Sequence, residues 1–128
     1  RLDLDSEGLL LFTNDSALST RLTDPEAHLP KVYRVQLDRL PREEELTPLR
    51  AGVMLDGQRT RPALITREKG QWFSVTITEG KNRQIRRMFW TIHCRVRRLI
   101  RVAVGRLELG DLPPGGVRLL LPGECATI

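Results

Sequence analysis

The sequence predicts an α+β fold, with a mostly antiparallel sheet flanked by a few helices. Two segments, residues 31–38 and 72–78, alternate apolar and polar side chains as half-buried strands do. A third segment, residues 82–93, instead repeats its apolar residues at helical spacing. Several short strands separated by turns, with few helices among them, are typical of antiparallel pairing.

The chain has the size and composition of one globular domain. Its 128 residues are 40% hydrophobic and 29% charged, which is ordinary for a folded domain. No apolar run approaches the roughly 20 residues that a membrane helix needs, and no signal peptide is visible. Cys94 and Cys125 lack the spacing of metal ligands and are expected to be reduced thiols. We expect the protein to lie in the cytoplasm and not in a membrane. We also expect a monomer that needs no metal ion and no cofactor.

The first half of the chain is predicted to contain two helices among its strands. Strands are expected at residues 9–12, 31–38, 53–55 and 59–66, and helices at residues 15–22 and 41–52. Asn14 or Asp15 can cap the first helix with a side-chain oxygen. Acidic residues at the start of the second helix complement its dipole, and Gly52 ends it.

The second half is predicted to contain one helix that faces the core. Strands are expected at residues 72–78, 95–104, 107–109 and 117–121, and the helix at residues 82–93. Asn82 is its expected N-cap, and an apolar stripe from Ile85 to Ile92 marks its buried side. Arg86 falls at the flank of this stripe, where its guanidinium would be half buried. An ion pair made there is stronger than one at the surface.

All of the excess positive charge lies in one segment. Residues 80–107 hold nine Lys or Arg and no Asp or Glu, whereas residues 1–79 and 108–128 are both net negative. Such a block usually marks a surface that binds a polyanion. Its arginine bias favours bidentate contacts with phosphates. The alternative is an ordinary solvated surface.

Two side chains are candidates for chemistry. Asp3 lies on a turn before an apolar strand, a rigid support that suits a reacting carboxylate. The alternative is that Asp3 only makes hydrogen bonds within its turn. Tyr33 lies on the apolar face of its predicted strand, where it is either a core residue or a ring that stacks on a planar substrate.

Three separated motifs together resemble the RsuA-like ribosomal RNA pseudouridine synthases. RLD at residues 1–3 with DSEGLLLFTND at residues 5–15 resembles their catalytic-aspartate motif. KVYRV at residues 31–35 resembles their tyrosine motif, and EGKNRQIRRM at residues 79–88 resembles their third, basic motif. The resemblance implies a catalytic cleft on a central mixed sheet. It also implies that residues 1–128 are the catalytic domain without its N-terminal segment or an S4-like RNA-binding domain.

By this resemblance the chain converts a uridine of ribosomal RNA to pseudouridine, with large-subunit (23S) RNA favoured over small-subunit (16S) RNA. The reaction breaks the bond from ribose C1′ to N1, turns the uracil and rejoins it through C5. A carboxylate must act at C1′, at C6 or on the ribose, and Asp3 is the candidate. Arg86 is expected to pair with Asp3 and keep it ionised. Tyr33 is expected to stack on the uracil and take the C5 proton.

The other predicted site residues bind RNA. The target base must leave its stack, and Arg1 is expected to help hold the vacated space. RNA contacts are expected from Arg1, Lys81, Asn82, Arg83, Gln84, Arg87, Arg97, Arg98 and Arg101. One alternative is a non-catalytic RNA-binding module with the same basic surface. A hydrolase that uses Ser6 or a pair of carboxylates is disfavoured, because no histidine stands in a triad context.

Overall fold

The computed structural model describes residues 1–128, apart from the side chain of Thr127, as a mixed sheet with helices against it. The strands are Glu7–Gly8 (β1), Lys31–Leu37 (β2), Met54–Leu55 (β3), Gln58–Arg59 (β4), Leu64–Arg67 (β5), Trp72–Ile77 (β6), Val96–Val104 (β7) and Leu107–Glu108 (β8). The α-helices are Ser16–Thr23 (α1), Glu43–Ala51 (α2), Gln84–Trp90 (α3) and Pro122–Thr127 (α4). None of these described helices is long and apolar enough to cross a membrane.

The main sheet has the strand order β1-β7-β2-β6-β5, and β8 also pairs with β7. β1 runs parallel to β7, whereas the other neighbouring strands are antiparallel. β3 and β4 form a separate hairpin. The prediction of an α+β fold with a mostly antiparallel, mixed sheet is therefore confirmed.

One face of the sheet carries the core, and α2 and α3 contribute to it. Phe73 and Val75 of β6 are fully buried, as are Leu49 of α2 and Met88 and Phe89 of α3. All five belong to one apolar cluster. Burial of such a side chain contributes roughly 1.5–3 kcal/mol, so this face is a firm support for groups at the sheet's edge.

The two helices predicted in the first half are present. Asp15 caps α1, because its Oδ1 accepts hydrogen bonds from the backbone N–H groups of Ala17 and Leu18 at 2.9 and 3.2 Å. Gly52 ends α2 with a positive φ of 124° and donates its N–H to the Pro48 carbonyl at 3.0 Å. Both ends follow from local chemistry that the sequence displays.

α3 is shorter than predicted and begins at a different residue. Its N-cap is Arg83, in a left-handed conformation with φ of 48°, and the prediction of Asn82 was wrong. The buried amide of Gln84 bonds to the segment that precedes the helix. Its Oε1 accepts from the Lys81 N–H at 3.0 Å, and its Nε2 donates to Glu79 Oε2 at 2.8 Å. These bonds order residues 79–81 before the helix, and the helix starts at Gln84 without a side-chain cap.

Two predicted strands do not form, and the single strand predicted at residues 59–66 is divided between β4 and β5 of different sheets. Residues 9–12 leave the sheet because Gly8, with φ of 108°, turns the chain out of the strand conformation. Residues 117–121 are extended but unpaired, and Val117 and Leu119 are each 90% exposed. A short apolar run is consistent with a strand, but it supplies no neighbouring strand for the backbone to pair with.

Close contact between β1 and β7 requires glycine at position 8. Gly8 lies opposite Arg101 in the register, and a Cβ on Gly8 would lie 2.1 Å from the Arg101 carbonyl oxygen. The next residue, Leu9, donates its N–H to the same carbonyl at 2.8 Å. Gly8 therefore allows residues 1–6 to be anchored at the edge of the sheet.

We expect Gly8→Ala to reduce the free energy of unfolding by about 2–5 kcal/mol. This combines about 1–2 kcal/mol for the positive φ with about 1–3 kcal/mol for overpacking against Arg101. Gly57→Ala is the matched control, because Gly57 also has a positive φ, 76°, but no atom within 4 Å of an added Cβ. Gly57→Ala should therefore lose only the contribution of about 1–2 kcal/mol that comes from the positive φ. Urea unfolding of both variants measures the difference, and equal losses would contradict the close approach of β1 to β7.

Candidate functional site

Three arginines hold the acidic turn formed by residues 1–6. Arg83 donates from Nη1 and Nη2 to the two carboxylate oxygens of Asp5, at 3.0 and 2.8 Å. Arg86 donates from Nη2 to the Asp5 carbonyl at 2.8 Å. Arg101 donates from Nη1 to the Arg1 carbonyl at 3.1 Å. The turn is therefore attached to α3 on one side and to β7 on the other.

Asp3 lies on this turn beside a cation. Its Oδ2 is 3.9 Å from Arg83 Nη1, and its side chain is 36% exposed. The Asp3 carbonyl accepts a hydrogen bond from the Ser6 N–H at 3.0 Å, which closes the turn. A depression of about 540 Å³ is lined by Arg1, Leu2, Asp3, Leu4, Asp5 and Arg83. The Asp3 carboxylate is thus accessible to a bound molecule while its backbone is held in place.

Asp5 makes the strongest ion pair of the turn. The hydrogen bonds from Arg83 lower the pKa of Asp5 to about 2, partial burial opposes this shift, and the charge of Arg86 reinforces it. Arg86 Nε lies 3.6 Å from Asp5 Oδ2, and it is buried without a hydrogen-bond acceptor among the described residues. Asp5 therefore stays ionised well into acid, and Arg86 keeps one donor unused.

Tyr33 and Lys31 lie on one face of β2, next to Arg101. Tyr33 pairs in register with Arg101 on one side and Val75 on the other, and it packs partly buried against the core. Lys31 donates from Nζ to the Glu79 carbonyl at 3.4 Å. Burial lowers the pKa of Lys31, the charge of Arg101 adds to this effect, and Glu79 opposes it. Such a shifted amine is typical of functional sites.

A comparison with known protein families shows which family the chain belongs to. Residues 1–90 match the family described as RNA pseudouridylate synthase. The matched region contains the acidic turn, the strand of Tyr33 and all of α3. This chain belongs to the RNA pseudouridylate synthase family. The family predicted from the three motifs is thereby confirmed.

The alignments with named relatives cover most of the length of this chain. The ribosomal large subunit pseudouridine synthase E of Vibrio parahaemolyticus is 41% identical over 133 residues, which are 90% of this chain and 56% of that protein. The enzyme of the same name from Xanthomonas campestris pv. campestris is 41% identical over 138 residues, covering 93% of this chain and 74% of that protein. The chain thus spans little more than half of the first relative.

A solved crystal structure of a pseudouridylate synthase has the same fold. It superposes with a TM-score of 0.93 at 32% sequence identity, covering 98% of this chain and 56% of that chain. Among the described residues of this chain, no three His, Cys, Asp or Glu side chains lie close enough together to bind a metal ion.

The predicted catalytic residues are only partly brought together. Arg1, Asp3 and Arg83 line one depression, and Tyr33 is not among its lining residues. Arg86 pairs with Asp5, so the expected ion pair between Arg86 and Asp3 is not the one formed. The physical reason is that α3 carries Arg86 to the Asp5 carbonyl, whereas Arg83, at the helix start, reaches both carboxylates.

Two residues predicted to bind RNA are buried instead. Arg101 is 6% exposed, and its Nε donates to the Leu9 carbonyl at 3.0 Å. Gln84 is 3% exposed and bonds within its own turn. Both satisfy backbone groups, which leaves them little freedom to contact an RNA. Lys81 is partly engaged as well, because its Nζ lies 3.6 Å from a Glu79 carboxylate oxygen.

Other cations of the basic segment are paired at the surface. Arg87 Nη2 lies 2.8 Å from Asp56 Oδ1, and Arg98 Nη2 lies 2.7 Å from Glu7 Oε1. Arg97 is exposed and has no hydrogen bond or ion pair from its side chain within the described part of the chain. The acid-free segment is therefore largely neutralised by carboxylates from elsewhere in the sequence.

Sequence reasoning missed Lys31 and Asp5. A signal for Lys31 was present, because it belongs to the KVYRV motif and lies two residues before Tyr33, on the same strand face. Asp5 belongs to the first motif, but nothing local indicates which of the two carboxylates pairs with which arginine. That choice depends on contacts between residues about 80 positions apart.

We expect the stability difference between wild type and Asp5→Asn to vanish in acid. A carboxylate whose folded pKa is lowered stabilises above its unfolded pKa of about 3.9, and that stabilisation is lost as the pH falls through the folded value of about 2. Because the Asp5 side chain is 51% exposed, the difference at pH 6 should stay below about 1 kcal/mol.

Urea unfolding between pH 6 and pH 2 measures this difference. Asp111→Asn is the control, since Asp111 is exposed and its side chain makes no hydrogen bond or ion pair among the described residues. It should show no pH-dependent difference from wild type. A constant difference for Asp5→Asn across the whole range would contradict the pairing with Arg83.

Proposed function

We propose that this chain is the catalytic part of an enzyme that converts a specific uridine of ribosomal RNA to pseudouridine, with large-subunit RNA as the substrate. The observation that carries the proposal is the accessible Asp3 carboxylate, held on an anchored turn beside Arg83 in a chain of this family. The relatives named above as large-subunit synthases support the choice of RNA. We further propose that the enzyme acts in the cytoplasm as a monomer.

Asp3 is the proposed reacting group. The isomerisation breaks the bond between ribose C1′ and uracil N1 and forms a bond between C1′ and C5, while C5 loses a proton and N1 gains one. Atoms and electrons are conserved, so the reaction needs neither an oxidant nor a group donor. The carboxylate acts at C1′, at C6 or on the ribose to allow the first bond to break.

Arg83 and Arg86 have different proposed roles. Arg83 is the cation near Asp3, because its Nη1 lies 3.9 Å from Asp3 Oδ2. Arg86 acts through the backbone, because it holds the carbonyl of Asp5 two residues further along the turn. Arg86 is thus a positioning residue in this proposal. A shift of the turn by even 1 Å affects such chemistry strongly.

Tyr33 and Lys31 are proposed to serve the second half of the reaction. The Tyr33 ring supplies a flat surface for the detached uracil while it turns. The Tyr33 oxygen then accepts the proton from C5 while its own hydroxyl proton passes to solvent, from which N1 takes the proton it gains. Lys31, whose pKa burial lowers, lies two residues away on the same face and adds a nearby positive charge that favours anionic forms of the uracil.

RNA binding is proposed to use the accessible part of the basic segment. Arg97 and Asn82 are exposed, and Arg1 lines the depression that contains Asp3. The target uridine must leave its stack to reach this depression, and Arg1 is placed where it could occupy the vacated space. Arg87 and Arg98 could exchange their surface carboxylates for phosphates, because exposed ion pairs are weak.

We expect Asp3→Asn to lower the rate of pseudouridine formation by on the order of 10⁴-fold, as for other carboxylates that act directly in an active site. The affinity for RNA should change by no more than a few fold. The measurements are pseudouridine mapping of ribosomal RNA for the reaction and filter binding for the affinity. Asp15→Asn is the matched control, because Asn caps a helix as well as Asp does.

Two outcomes contradict the proposal in different ways. If Asp3→Asn and wild type form pseudouridine equally well, Asp3 is not the reacting group. If neither forms it while both bind RNA, the chain is a non-catalytic RNA-binding module. Mapping in cells with and without the gene also identifies the modified uridine, since the missing site is restored by wild type and not by Asp3→Asn.

We expect Tyr33→Phe to lower kcat by about 10²-fold or more, the usual contribution of a proton-transfer group, while KM changes little. Phe keeps the ring and its stacking surface but removes the hydroxyl. Tyr33→Leu is the companion variant and should raise KM as well, because the flat ring is lost. Steady-state kinetics on an unmodified ribosomal RNA transcript separates these effects. An unchanged kcat for Tyr33→Phe would contradict the proton-transfer role, and Tyr33 would then only stack on the uracil.

A further inference from the structure

A second depression adjoins the one that contains Asp3. It has a volume of about 320 Å³ and is lined by Arg83, Arg86, Trp90, Cys94, Arg95 and Val96. Arg83 lines both depressions, so they are direct neighbours. The volume lies at the lower end of the roughly 300–1,000 Å³ that is usual for small-ligand sites, which suits a group of about the size of one nucleotide.

Trp90 presents an open aromatic surface in this second depression. It is 56% exposed, and the aromatic contact of its ring is an edge contact with His93 at a centroid distance of 5.9 Å. The other tryptophan, Trp72, differs. The guanidinium carbons of Arg34 and Arg98 lie over its ring, at 4.9 and 5.6 Å from the centroid. Trp90 is therefore the tryptophan with room for a further stacking partner.

Arg95 provides an unpaired cation next to this ring. Its side chain is exposed and makes no hydrogen bond or ion pair with the described residues. Its backbone is fixed, since the Arg95 N–H donates to Asp38 Oδ1 at 2.9 Å. Arg83 and Arg86 are held by Asp5 on the other side of the depression. Arg95 is thus the lining arginine that can accept a phosphate without losing a protein partner.

We propose that the second depression binds a nucleotide that flanks the target uridine, with its base stacked on Trp90 and its phosphate on Arg95. This inference rests on the proposed function, because the uridine itself occupies the neighbouring depression at Asp3. An exposed aromatic ring beside a cation is the usual means of binding single-stranded nucleic acid. Stacking accepts any base, so the subsite supplies affinity and holds the displaced strand open rather than selecting the target.

Fluorescence of the 128-residue chain tests the stacking directly. The chain has two tryptophans. Trp72→Phe therefore leaves Trp90 as the single tryptophan fluorophore, and Trp90→Phe leaves Trp72 as the single one. Both variants are titrated with a short uridine-containing RNA hairpin, and with the same hairpin made abasic at the residues that flank the uridine. We expect the intact hairpin to quench Trp90 strongly and Trp72 weakly. The abasic hairpin should bind but not quench Trp90.

Kinetics on an unmodified ribosomal RNA transcript gives an independent test. Trp90→Ala should raise KM by about 10-fold, which is within the range for loss of one stacked base, and leave kcat within about twofold. Trp90→Phe should stay close to wild type. Arg95→Gln should reduce the slope of log affinity against log salt by about one, as for loss of one phosphate contact.

The outcomes separate this inference from the proposed function. If wild type forms pseudouridine, but Trp90 is not quenched and Trp90→Ala has an unchanged KM, the flanking subsite is overturned and the enzyme activity stands. If wild type forms no pseudouridine, the proposed function fails, and quenching of Trp90 by the intact hairpin alone would still identify a nucleotide-binding site. Equal quenching of both tryptophans by the abasic hairpin would contradict base stacking.

Discussion

Arg101 holds both ends of the opening segment, and the geometry of the site depends on it. Its guanidinium, almost fully buried, donates to the carbonyls of Leu9 and Arg1. A buried charge is tolerated only when it is hydrogen-bonded, so the segment and the arginine stabilise each other. Gly8 permits this contact by bringing β1 against the Arg101 backbone. Asp3 lies between the two anchored carbonyls, and its position is therefore set by the edge of the sheet.

Ion pairs across the fold reduce the number of unpaired cations in the basic segment. In the sequence, residues 80–107 carry nine cations and no acid. In the structure, Asp5, Glu7 and Asp56 come from other parts of the chain to pair with three of the arginines. What remains accessible is a smaller set that includes Arg95 and Arg97. The unpaired positive charge is thus smaller than the sequence indicates, and part of it, Arg95, lines the second depression.

Much of the fold could be predicted because its signals are local. The alternation around Tyr33 and the apolar spacing in α3 each report which side of an element is buried. Asp15 as a helix cap follows from the chemistry of a single side chain. The errors have different causes. The cap expected at Asn82 does not form, because Arg83 takes the N-cap position in a left-handed conformation, and residues 117–121 found no strand to pair with.

The sequence by itself determined the family and the fold class, because motif residues and periodicity are properties of short stretches. Only the tertiary structure decided which arginine approaches Asp3, that Arg101 is buried, and that Trp90 is left open beside Arg95. These features depend on contacts such as Arg83 with Asp5, separated by 78 positions. A guanidinium can reach several carboxylates, and the packing of α3 and β7 against the opening turn selects among them.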